Sequence, residues 1–484
     1  MSEIKNLEPK LVWNNFDMIC SIPHPSKKEK MLADKLVSWA KEHNIECCVD
    51  KIGNVIMRKP ATKGMENRKC VILQAHLDMV PQKTAATNHD FEKDPIQPWI
   101  DGEWVKAKGT TLGADDGMGG ATILAVLEDH TLEHGPLEAL FTVDEETGMT
   151  GAEGLEKGIL KGDILLNLDS ETEGELYVGC AGGIDGTFTF DYKLEAAAID
   201  MSAFKLSVTG LKGGHSGMDI ILGRGNANKI YFRLMKALEA VDVRMADING
   251  GSLRNAIPLE AFGTIALTTS KVAQAKEILE TVTKEIKAEL ADTDEDLQIE
   301  MNPTALPKEL IDSCTQKRLT NAIYACPNGI MRMSFSVENL VETSTNLAIV
   351  ASDGKTITVK CLLRSSVDTA KMDLAQMMRS VFELAGAKCV FDGQYPGWKP
   401  NMQSPILNEM QSLYKQLFNK EPKIMAIHAG LECGLFGGVY TNWDMISFGP
   451  TIQHPHSPAE RVNIESVAKL WKFVVATLKN VPTK

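Results

Sequence analysis

Short apolar runs of strand length alternate with helical periodicity in the first part of the chain, and each run ends on a carboxylate or an imidazole. Cys70-Val71-Ile72-Leu73-Gln74-Ala75 leads into His76-Leu77-Asp78. Leu137-Glu138-Ala139-Leu140-Phe141-Thr142-Val143 leads into Asp144-Glu145-Glu146, and Ile164-Leu165-Leu166-Asn167-Leu168 into Asp169. Runs of this kind separated by helices fold as parallel strands joined by crossovers. The stretch from Gly117 to Glu128 carries Ile123, Leu124, Val126 and Leu127 among small residues and reads as a helix buried on that sheet. Ligand sites in such sheets form outside the carboxyl ends of the strands, so the polar clusters should converge there.

After Gly182-Gly183, read as a Gly-rich turn, the pattern becomes α+β. A strand at Phe204 to Thr209, a helix from about Asn226 to Val241, strands at Leu253 to Ile257 and Ala261 to Thr268, a helix through Ala275, Leu279 and Ile286, and a strand near Leu297 make one βαββαβ unit. A partial recurrence follows, with strands at Leu347 to Ala351, Thr356 to Leu363 and Lys388 to Phe391 around a helix holding Leu374, Met378 and Phe382. Two related subdomains back to back, or one irregular insertion, both suit this order. From about Pro400 the α/β character returns, with an apolar strand at Met445-Ile446-Ser447-Phe448. The expected organisation is therefore one domain built from residues 1–185 and 397–484, interrupted by residues 186–396.

Size and charge narrow the class. A chain of 484 residues suggests two to four domains. Its formal charge of −13 repels phosphate backbones and anionic lipid, which argues against nucleic acid and membrane partners. Ten Cys without a C-x-x-C pair read as reduced thiols. The start, Met1-Ser2-Glu3-Ile4-Lys5, lacks a basic segment leading into an apolar core, and no apolar run approaches spanning length, so a cytoplasmic location is expected.

Taken alone, each polar cluster has an ordinary reading: a residue after a strand is usually a solvated loop residue, and Asp115 or Asp116 would serve as a helix cap. Together, two His and several carboxylates suit zinc, which accepts both nitrogen and oxygen, better than calcium or magnesium.

The motifs His76-x-Asp78-x-Val80-Pro81, Gly113-Ala114-Asp115-Asp116-Gly117, Glu145-Glu146 and His456-Ser457-Pro458 closely resemble the metal-site motifs of the M20 family of dinuclear zinc peptidases. Gly214-His215-Ser216-Gly217, Arg254-Asn255-Ala256-Ile257-Pro258 and His428-Ala429-Gly430-Leu431-Glu432 extend the resemblance over the whole chain, toward its bacterial aminoacyl-histidine dipeptidase branch. The resemblance implies a zinc-peptidase α/β domain, with a mostly parallel central sheet and helices on both faces, interrupted by an α+β lid. It implies two divalent ions per chain, zinc with Co2+ or Mn2+ as substitutes, bridged by Asp115. His76 and Asp169 would complete one set and Glu146 and His456 the other, with His454 the runner-up for the last. Glu145 would be the general base toward a water held between the ions, and Asp78 would accept the second N–H of His76 and orient it.

Outside the metal set, the resemblance makes His215 a donor to the oxyanion, with Asn255 beside it, and gives Arg364 the substrate's terminal carboxylate. His428 and Glu432, read as part of the returning domain, would line the substrate pocket, Glu432 pairing with a free amino group. His24, His43, His89, His130 and His134 belong to no motif and are expected on the surface. The activity implied is hydrolysis of short unblocked peptides, chiefly Xaa-His dipeptides such as β-alanyl-histidine. An aminoacylase or deacetylase of the same fold and a silent peptide-binding relative are the rivals. Whether a homodimer forms, or one chain completes its own site, stays open.

Overall fold

The computed structural model describes residues 3–484; Met1 and Ser2, where the leader reading begins, lie outside them. The chain divides into two compact units. The first holds the chain up to Gly179, Pro400–Ala426 and Leu431–Lys484; the second holds Cys180–Lys399 and Ile427–Gly430.

In the first unit an eight-stranded sheet runs in the order Glu46–Val49, Val55–Lys59, Leu137–Thr142, Val71–His76, Ile164–Asn167, Asp444–Ser447, Glu175–Cys180, Lys423–Ile427. The four middle strands are mutually parallel, and antiparallel pairs flank them. Every residue of Val71–His76, Leu137–Thr142 and Ile164–Asn167 is buried, as parallel strands covered on both faces require. Each enclosed Val, Ile or Leu contributes about 1.5–3 kcal/mol, so unpaired polar groups are driven to the strand ends. The polar residues that do lie inside are paired: Asn167 Nδ2 donates to Gln74 Oε1 at 2.6 Å and Gln74 Nε2 to Thr142 Oγ1 at 3.2 Å, while Glu138 accepts from Arg58 and from the amides of Lys161 and Gly162. The helix Ala114–Glu128 is buried almost throughout, and its apolar residues join the same core as Val71, Leu73 and Ala75.

The second unit is built on a ten-stranded sheet. Met201–Thr209, the helix Ala227–Leu238, Asn249–Gly250, Ala261–Thr268, the helix Val272–Glu289 and Gln298–Thr304 form one βαββαβ set, its strands ordered fourth, first, third, second. Gly182–Asp191, the helix Ser313–Ala325, Val341–Ser352, Thr356–Ser365, the helix Asp368–Leu384 and Lys388–Tyr395 form another in the same order. The two sets are not back to back. They share one continuous sheet, joined where Asn249–Gly250 pairs with Val350 and Ala351, and the first is nested after the opening strand of the second.

That opening strand corrects the reading of Gly182-Gly183 as a turn. Both lie within Gly182–Asp191, and a Cβ on Gly183 would stand 2.5 Å from the Tyr395 ring, so close approach is what requires glycine there. The strand expected over Leu253 to Ile257 shrinks to Ala256–Ile257, which pairs with Gly214–His215 outside the large sheet. Arg254 turns its guanidinium onto Gly186 O, Cys361 O and Asp185 instead of joining a ladder. His428 is also reassigned: Ala181 N–H donates to both Ile427 O and Ala429 O, and residues 427–430 belong to the second unit. His24 and His134 are buried rather than on the surface, His134 with Nδ1 2.7 Å from Gly135 O and burial lowering its pKa so that it packs uncharged. Among the described residues no helix is long and apolar enough to cross a membrane.

Candidate active site

Val71–His76 ends on His76, and Ile164–Asn167 stops two residues short of Asp169, so neighbouring parallel strands deliver an imidazole and a carboxylate to one place. His76 Nε2 lies 3.2 Å from Asp115 Oδ1 and 3.3 Å from Asp169 Oδ1. The other Asp115 oxygen, Oδ2, lies 3.1 Å from His456 Nε2, which is itself 3.0 Å from Glu146 Oε2. Asp115 thus presents one oxygen to each of two imidazole–carboxylate sets. It is free to do so because Asp116 performs the helix-capping duty, its Oδ1 accepting Gly119 N–H at 3.0 Å. His454 is exposed, and its carbonyl accepts from Ser457 Oγ.

Asp78 differs from expectation. His76 Nδ1 faces the backbone carbonyl of Asp78 at 2.9 Å, while the nearer carboxylate oxygen is 3.5 Å away. The Asp78 carboxylate instead accepts the N–H of Glu145 at 2.9 Å and of Glu146 at 3.2 Å. A buried carboxylate goes where fixed donors converge, and the turn Glu145–Gly148 supplies two at its first residues. Asp78 therefore orients the candidate base and one candidate ligand together.

The charges here oppose one another. Burial alone would lower His76, yet Asp169, Asp115 and Asp78 hold its imidazole well above its ordinary value. Burial raises Asp169 well above the carboxylate range, whereas Asp115, despite its burial, is held low by His456 and His76. Hydrogen bonds to Asp115 and Glu146 push His456 to about 11. Glu145 is pushed to about 8, by burial first and by Glu432 and Glu146 beside it. Such an excess of carboxylate suits divalent cations. Ligand atoms of His76, Asp115 and Glu146 fall within 4.8 Å of one another, and the buried Glu146 Oε1 has no hydrogen-bond partner among the described residues. The donor set fits the expected metal.

Glu432 is buried in the same unit. Its Oε2 accepts from Gln74 Nε2 at 2.7 Å and Thr142 Oγ1 at 3.0 Å, while Oε1 is buried without a hydrogen-bond partner among the described residues. Burial raises its carboxyl to about 7.

The second unit gathers His215, Arg364 and His428. Arg364, 5% exposed, donates from Nη1 to Tyr395 Oη at 3.1 Å and leaves Nε without a hydrogen-bond partner among the described residues. Ser344, opposite Arg364 in the strand register, has its Oγ 2.7 Å from His428 Nε2. Burial and the Arg364 charge push His428 down to about 3, so it stays neutral. His215 Nδ1 accepts the N–H of Gly217 at 3.2 Å and of Met218 at 3.1 Å. Backbone N–H groups only donate, so the proton of the neutral ring belongs on Nε2. Burial and Arg364 lower the His215 pKa as well. A Cβ on Gly217 would lie 2.2 Å from His428 O, so the His215 turn packs directly on residues 427–430. Asn255 is exposed; its carbonyl, rather than its side chain, supports this turn by accepting Ser216 N–H at 2.8 Å.

The sequence reading missed Glu29 and Glu460, buried carboxylates that bind backbone amides near Asp144 and Asp115. Neither lies at the end of an apolar run, so no local signal marked them.

A family model described as peptidase family M20/M25/M40 matches residues 72–480. The chain belongs to this family. It is 50% identical to the cytosol non-specific dipeptidase of Escherichia coli, with the whole of both chains covered. It is 52% identical to a solved aminoacylhistidine dipeptidase from Vibrio alginolyticus, with a TM-score of 0.97 over 100% of this chain and 99% of that one. An aminopeptidase PepT from Bacillus cereus shares the fold at a TM-score of 0.57 and 15% identity, covering 98% of this chain and 99% of that one. The M20 match includes all five candidate metal ligands and Glu145 within its span.

Proposed function

We propose that this M20 peptidase is a metal-dependent dipeptidase acting on short unblocked peptides, Xaa-His dipeptides such as β-alanyl-histidine among them. The observation that carries it is the Asp115 carboxylate, with one oxygen on His76 and the other on His456. The full-length likeness to two dipeptidases supports the substrate size.

His76, Asp115 and Asp169 would hold one divalent ion and Asp115, Glu146 and His456 another. When bound, such a pair, zinc by its mixed nitrogen and oxygen donors, supplies Lewis acidity and lowers the pKa of the attacking water. Glu145 takes that water's proton and passes it to the leaving amine. Asp78 keeps the base in place through the Glu145 amide. His215 offers its Nε2–H to the oxygen that gains charge, and needs no proton transfer to do so. Arg364, with donors unspent, takes the terminal carboxylate, and the Glu432 oxygen without a partner accepts from the substrate's ammonium. Asn255 and His428 are the remaining substrate contacts of this reading.

A panel of free dipeptides and their N-acetyl forms, with and without chelator, tests this reading. Free dipeptides are expected to be cleaved, blocked ones spared, and all turnover lost on chelation. Preferential cleavage of the acetylated forms would instead make the protein an aminoacylase or deacetylase, and binding without turnover a silent relative.

A further inference from the structure

Glu460 sits four residues beyond His456 and is 2% exposed. Its two oxygens gather four consecutive backbone amides from the far side of the sequence. Oε2 accepts Leu112 N–H at 2.7 Å and Gly113 N–H at 3.0 Å; Oε1 accepts Ala114 N–H at 2.8 Å and Asp115 N–H at 3.4 Å. Consecutive amides turned to one point form a concave anion-binding array, and a carboxylate fills it with both oxygens used. The last of the four is the amide of Asp115 itself.

The His456 loop joins Ile452–Gln453 to Arg461–Asn463, which pair with each other, and within it Ser457 Oγ donates to His454 O. The His456 side chain is 50% exposed, so core packing alone does not set its position. Behind it, Glu460 N–H returns to Ser457 O at 3.0 Å, and Arg461–Asn463 pairs with Trp104–Ala107. His76, in contrast, is set by a buried strand end. His76 and Asp169 are therefore set by strand ends, whereas His456 sits on a loop that Glu460 ties to the Asp115 turn.

We infer that Glu460 is a positioning residue that fastens the His456 loop to the Asp115 turn and so holds the ligand set Asp115–Glu146–His456 in register for its ion. This rests on the two-ion reading above. Glu460→Gln is the informative variant, because the amide keeps one acceptor and turns an NH2 group toward two backbone N–H donors. Glu460→Asp keeps both oxygens but shortens the reach.

Zinc binding to metal-stripped wild type, Glu460→Gln, His456→Ala and the double variant is measured by titration calorimetry and elemental analysis, with thermal unfolding of each metal-free chain. In Glu460→Gln one ion should bind about 10–100-fold more weakly, the loss usual when a partner orienting a ligand is removed. The other should stay within a factor of about two of wild type, and adding Glu460→Gln to His456→Ala should not weaken the remaining ion further. Equal weakening of both ions, or no weakening of either, overturns the inference, since a merely structural role would do the former. If Glu460→Gln does not fold, the same split measured in Glu460→Asp decides. A wild type that binds only one ion would overturn the two-ion reading and this inference with it; two ions in wild type without the split would overturn this inference alone.

Discussion

Glu145→Gln separates the chemistry of the site from the stability of the fold, because the two should move in opposite directions. In the metal-free chain the Glu145 carboxyl rises from 4.5 to about 8, through burial and the nearby charges of Glu432 and Glu146. A raised carboxyl favours the protonated form in the fold. Its stability is complete below the unfolded value of 4.5 and is lost as pH climbs through the folded value of about 8. At about 1.36 kcal/mol per pH unit, this single group costs the metal-free fold up to about 5 kcal/mol at pH 8 or above. Water reaching the partly open carboxylate lowers that figure, so about 2–4 kcal/mol is the working expectation. His456, pushed to about 11, gives the same sign, its contribution being present below 6.5 and lost as pH rises toward 11. Denaturant unfolding of the chelated protein at pH 5 and pH 8 should show lower stability at pH 8. Glu145→Gln, which has no charge to bury, should narrow that gap and unfold later than wild type at pH 8. The same variant, reloaded with metal, should keep its ions and lose at least ~100-fold in kcat, since an amide takes no proton. An unchanged pH gap would refute the electrostatic account of the site, and activity within a few-fold of wild type would transfer the base role to another residue.

The purified protein should hold two divalent ions per chain by elemental analysis and lose all activity on chelation; active enzyme with at most one ion would contradict the shared role of Asp115. His215→Ala should leave metal content and fold intact while kcat falls ~100–1000-fold, and nitrogen-15 NMR of the wild type should show His215 protonated on Nε2. A rise in KM alone would make His215 a uniform binding contact, and an Nδ1–H signal would contradict the hydrogen bonds from Gly217 and Met218.

Much of the first unit is legible in the chain itself. His76 and Asp169 end, or closely follow, apolar runs whose hydrophobicity forces a buried parallel sheet, so their convergence follows from strand direction alone. The Asp115 and Glu146 motifs carry local signals of the same kind, short acidic clusters at helix starts. The second unit was only half readable. Its repeated strand and helix periods are visible, but the opening strand Gly182–Asp191 hides behind two glycines that exist to admit Tyr395, a residue more than two hundred positions away.

Tertiary structure decided where each buried carboxylate spends its oxygens. Asp78, still facing the imidazole of His76, accepts its hydrogen bonds from the amides of Glu145 and Glu146, and Glu460 crosses to the amides before and at Asp115. His428 departs from the α/β segment around it because Ala181 binds the carbonyls on either side of it. Sequence determines which residues must be inside and which must end a strand, since hydrophobicity and period are properties of each segment alone. It carries no mark for the partner of a buried charge, because that partner is whichever donor the completed fold brings within hydrogen-bond reach, at any distance along the chain.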